Sequence, residues 1–137
     1  MSEDVVESYT KNGFAIVKNI VPAQRINSLL ENIFNLFCKY STDYQELKNM
    51  EKPWNTELFH KKLIEFRQKD PESFGAIYDS LKTSLPLTQL VTDDNVVDNV
   101  ARSLQISPSD LSISEPMCRL DVPSDQRNAF DWHQDRS

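Results

Sequence analysis

Apolar positions recur along the first two thirds of the chain at helical spacing. Ile26, Leu29, Leu30, Ile33, Phe34, Phe37 and Tyr40 follow one another at intervals of three, one, three, one, three and three. That spacing marks one face of a long helix, and Pro22 suits its first turn. Before it, Val5, Val6 and Tyr9 share a side of a short helix over 3–12, with Ser2 as cap and Gly13 as stop. Phe14-Ala15-Ile16-Val17, bounded by Gly13 and Pro22, reads as a short buried strand.

Residues 41–54 are polar and read as a loop. Phe59, Leu63 and Phe66 give a buried side to a helix over 56–69. Asp70-Pro71-Glu72 is a strong helix start, pairing an N-cap carboxylate with proline at the first position and an acid at the positive dipole end. Phe74, Ile77, Tyr78 and Leu81 carry that helix toward Pro86. Thr92-Asp93-Asp94 opens another through Val96, Val97, Val100 and Leu104, the acid pair reading as a helix N-terminus rather than a cation site.

Ser107-Pro108-Ser109 is the clearest break, and beyond it the period changes from helical to alternating. Over 115–122, Met117, Arg119 and Asp121 fall on one face and Cys118, Leu120 and Val122 on the other. After a polar link over 123–128, residues 129–135 read as a second late strand. The predicted fold class is α+β. A mainly helical part over 1–106, with one early strand, leads into the first strands of a barrel over 107–137, all in a single domain.

Composition narrows this further. Two glycines, where average usage of about 7% would give roughly ten, are too few for the turns of a whole antiparallel barrel. Lys+Arg 15 against Asp+Glu 21 gives a net charge of −6, which argues against nonspecific attraction to nucleic acid or an anionic membrane. Cys38 and Cys118 are far apart and show no CxxC spacing, so they read as thiols of a reducing compartment. The acidic start and the lack of a long apolar run predict a cytoplasmic protein.

The candidate chemistry lies in Trp132-His133-Gln134-Asp135. On a strand, His133 and Asp135 project to the same side, roughly 7 Å apart along the backbone. An imidazole nitrogen and a carboxylate oxygen from that spacing suit two adjacent positions of one divalent metal, as in the two-histidine, one-carboxylate triad of non-haem iron oxygenases. His60, the other histidine, reads as a solvated helix residue. On the bare triplet a surface His/Asp pair is the simpler reading, and the surrounding sequence changes the balance.

Arg119-Leu120-Asp121-Val122-Pro123, a short polar loop and then Trp132-His133-Gln134-Asp135 resemble the phytanoyl-CoA dioxygenase family. The early Asn12-Gly13-Phe14-Ala15-Ile16-Val17 segment, followed by the helix opening Val21-Pro22-Ala23-Gln24, agrees with it. The resemblance implies a double-stranded β-helix whose barrel is incomplete in this chain. It also implies Fe(II) and 2-oxoglutarate as cofactors and hydroxylation of a small-molecule substrate. It assigns His133 and Asp135 to the metal, and Gln134, Arg119 and Asp121 to the cosubstrate side. The family's distal histidine and 2-oxoglutarate-anchoring arginine are expected beyond position 137. The alternative expectation is a non-catalytic helical binding or regulatory module, or a truncated inactive product. In either case exposed strand edges would favour self-association.

Overall fold

The computed structural model describes residues 4–123. Six α-helices follow in order: α1 (Val5–Asn12), α2 (Ala23–Tyr40), α3 (Glu57–Lys69), α4 (Pro71–Leu81), α5 (Leu85–Val91) and α6 (Asp94–Leu104). Three short 3-10 turns, Thr42–Leu47, Pro53–Asn55 and Pro108–Asp110, complete the regular structure among the described residues.

Local side-chain chemistry sets the helix ends. The Asp4 carboxylate accepts from the Val6 amide at 3.1 Å and caps α1, and Gly13 stops it in the left-handed region at φ 75°. Expected cap Ser2 lies outside the described residues. Thr56 caps α3 by accepting from the Phe59 amide at 3.2 Å, and its own hydroxyl donates to the Pro53 carbonyl at 2.7 Å. Asp70 accepts from the Ser73 amide at 3.0 Å at the start of α4, with Pro71 in the first turn as the sequence pattern predicts. These bonds, together with the one the Leu87 amide donates to the Ser84 hydroxyl in α5, satisfy amide donors that a helix start otherwise leaves unpaired.

The core forms around α2. Its stripe brings Leu29, Ile33, Phe34 and Phe37 inward against α4, α5 and the 3-10 turn that follows it. Phe37 is fully enclosed, and its ring lies 5.6 Å from Phe66 and 5.7 Å from Phe74, with Phe59 at 6.2 Å. Edge-on and tilted arrangements of this kind add to the burial of the rings themselves. Tyr40, at the end of the same stripe, is exposed.

Residues 41–54, expected as a polar loop, are part of this core instead. Tyr44 and Leu47 on the first 3-10 turn are completely buried, and Pro53 is buried as well. Lys62 to Glu46 (2.8 Å) and Lys69 to Asp43 (3.6 Å) tie this turn to α3. The helix expected to run toward Pro86 ends at Leu81, and Pro86 instead occupies the first turn of α5. Proline is tolerated there because a first-turn amide has no intrahelical partner to lose.

The α+β expectation is corrected: among the described residues there is no strand. Residues 14–17, expected as a buried strand, are irregular; Phe14 and Ile16 face solvent, and no backbone–backbone hydrogen bond involves this segment among the described residues. The Phe14 carbonyl accepts from the Ser8 hydroxyl at 3.3 Å instead. Residues 115–122 likewise form no ladder. A strand is completed only by a neighbouring backbone, whereas a helix pairs its own amides and carbonyls. Without a partner, apolar runs of four to eight residues do not become strands by pattern alone. The double-stranded β-helix is therefore not the architecture of the described chain. The late strand expected at 129–135 lies outside the described residues.

Candidate functional site

The approach to the histidine motif begins at the 3-10 turn Pro108–Asp110, whose cap Ser107 accepts from the Ser109 amide at 3.3 Å. Leu111 follows with φ −79° and ψ 140°, an extended conformation. From Pro116 to Val122 burial alternates residue by residue. Met117, Arg119 and Asp121 are exposed, while Cys118 and Leu120 are partly buried and Val122 is buried. The period of two expected from the sequence is thus present, with the inner side chains packed on the helical core rather than on a second sheet.

Arg119 and Asp121 meet on the outer side. Arg119 donates from Nη2 to Asp121 Oδ1 at 2.9 Å and from Nε to the same oxygen at 3.2 Å. Both side chains are exposed to a large degree, so the pair contributes little to stability. Its effect is on orientation: it holds the guanidinium fork along the segment, three residues from Val122, where the chain is anchored.

No thiol here is built for nucleophilic work. Burial pushes the Cys118 thiol above its ordinary range, and burial does the same to Cys38, partly offset by nearby Lys48. A thiol held protonated is a weak nucleophile and a poor metal ligand at neutral pH. His60 lies exposed on α3 with its ring 5.7 Å from that of Phe59. Among the described residues no group of three or more His, Cys, Asp or Glu side chains is placed to hold a metal. His133, Gln134 and Asp135, with Trp132, lie outside the described residues, so the metal pair expected from the sequence is neither assembled nor separated by this geometry.

Asp93 and Asp94 are the N-terminus of α6, as expected. Asp93 accepts from the Asn95 amide at 3.2 Å, and its other carboxylate oxygen accepts from Arg25 Nε at 3.3 Å. The cluster is occupied by capping and by an ion pair to α2.

No family model, curated protein or solved structure matches this chain.

One feature escapes the one-dimensional pattern. An apolar cleft of about 530 Å³ opens between α1, residues 13–20 and α6, walled by Tyr9, Phe14, Val17, Ile20, Val100 and Leu104. Its polar residues are engaged within α6: Asn99 donates to the Asn95 carbonyl at 2.7 Å, and the Ser103 hydroxyl donates to the Asn99 carbonyl at 2.8 Å. Of the apolar positions that mark α6 in the sequence, Val100 and Leu104 remain exposed and line this cleft. Among the described residues no helix is long and apolar enough to cross a membrane.

Proposed function

We propose that this chain contributes a histidine–aspartate pair to the metal site of an Fe(II)/2-oxoglutarate-dependent dioxygenase, a hydroxylase of the phytanoyl-CoA dioxygenase type. The observation that carries the reading is the order of residues in the sequence. Arg119-Leu120-Asp121-Val122-Pro123 is followed, after a short polar link, by Trp132-His133-Gln134-Asp135. An imidazole and a carboxylate are two of the three protein ligands of a facial triad, and that donor set suits Fe(II) or Mn(II). Iron with 2-oxoglutarate, when bound, supplies the oxygen chemistry that hydroxylates a C–H bond. The protein's share is to hold and orient. His133 and Asp135 bind the metal, Gln134 and Arg119 serve the cosubstrate, and Asp121 on the same side holds the Arg119 guanidinium in place until the cosubstrate arrives. A carboxylate approaching Arg119 exchanges with Asp121, and an exposed pair of this kind costs little to open.

The test is calorimetric titration of Mn(II), with and without 2-oxoglutarate, into the wild-type chain and into His133→Ala and Asp135→Ala. Weak binding is expected, because two protein ligands leave much of the coordination sphere to water. Both substitutions should abolish it while the helical circular dichroism stays unchanged. Binding that survives both substitutions, or no binding at all, would sink the metal reading.

A second reading is favoured by a specific observation. The described helices close their core around Phe37 without any strand, and the cleft between α1 and α6 is apolar and open to solvent. A non-catalytic helical binding module would have these properties. It predicts no metal dependence and no succinate formed from 2-oxoglutarate.

A further inference from the structure

We draw no further inference here: the strongest candidate, the apolar cleft between α1, residues 13–20 and α6, carries nothing because nothing in the structure shows what covers it.

Discussion

The rings of Phe37 and Tyr44 lie 5.5 Å apart, centroid to centroid, and neither residue has any accessible surface. One comes from the last turn of α2 and the other from the 3-10 turn that follows, so both elements are buried in the same core. The Tyr44 ring also packs edge-on against Phe59 at 5.9 Å and Phe66 at 6.3 Å. Its hydroxyl is buried without a hydrogen-bond partner among the described residues.

Two substitutions at Tyr44 should therefore diverge. Tyr44→Phe keeps the ring and removes the unpaired hydroxyl, and it is expected to leave stability unchanged or raise it by up to about 1 kcal/mol. Tyr44→Ala should cost about 3–5 kcal/mol, through lost burial and the cavity left behind. Urea unfolding followed by circular dichroism measures both. Burial, reinforced by Asp43, also holds the hydroxyl above its ordinary value of 10.0. The folded chain thus keeps a proton that the unfolded chain releases. Stability should fall as pH rises above about 10, and Tyr44→Phe should flatten that part of the fall. The raised thiols of Cys38 and Cys118 act in the same direction from about pH 9 upward and would remain in the variant.

The two glycines should respond to alanine with opposite signs. Gly13 ends α1 at φ 75°, and a Cβ there would meet no atom within 4 Å, so the penalty is one of backbone conformation alone. Gly13→Ala is expected to destabilise by about 1 kcal/mol. Gly75 lies inside α4 with equally open surroundings. Gly75→Ala should stabilise by about 0.5–1 kcal/mol, because alanine gives up less chain entropy in a helix. Thermal melts of the two variants run side by side decide this, and matching signs would contradict the assigned backbone at one of them.

Asp93 has two tasks that substitution can separate. Asp93→Asn keeps an acceptor for the Asn95 amide and loses the charge facing Arg25, whose Nε lies 3.3 Å away. Asp93→Ala loses both. The alanine variant should lose about 1–2 kcal/mol, and the asparagine variant should lose less, with most of its loss disappearing at high salt. Equal losses would mean that the cap contributes nothing.

Arg119 and Asp121 offer a test of the cosubstrate role that does not depend on turnover. Arg119→Ala and Asp121→Ala should each change stability by less than about 1 kcal/mol, since the pair is exposed. If the proposed role holds, Arg119→Ala weakens 2-oxoglutarate binding in the presence of Mn(II), while Asp121→Ala, which removes the competing carboxylate, strengthens it. Affinities that stay equal in both variants would take Arg119 out of the site.

Asp70 adds an acid-side expectation. Its carboxyl is lowered, chiefly by the hydrogen bond from the Ser73 backbone amide, so the cap is present at neutral pH and is lost as pH falls below the ordinary carboxylate value of 3.8. Helical signal should decline at that end of the pH scale, and Asp70→Asn should blunt the decline.

The sequence by itself determined the elements whose causes are local. Helices α2, α3, α4 and α6 follow from apolar spacing and from caps that act within two or three residues: Thr56 on Phe59, Asp70 on Ser73 and Asp93 on Asn95. The shared side of Arg119 and Asp121 was legible for the same reason, because a period of two is a property of the extended backbone. The tertiary structure decided what depends on distant partners. Tyr44 and Leu47 sit among Thr42, Asp43, Gln45 and Glu46, and nothing in that polar stretch shows that both apolar side chains join the buried core with Phe37 and Phe59. Residues 14–17 have the composition of a strand, but a strand exists only where another backbone runs beside it, and along 14–17 none of the described backbone does. The wall of the cleft joins Tyr9 to Leu104, residues at opposite ends of the helical region whose proximity only the packing of α1 on α6 creates.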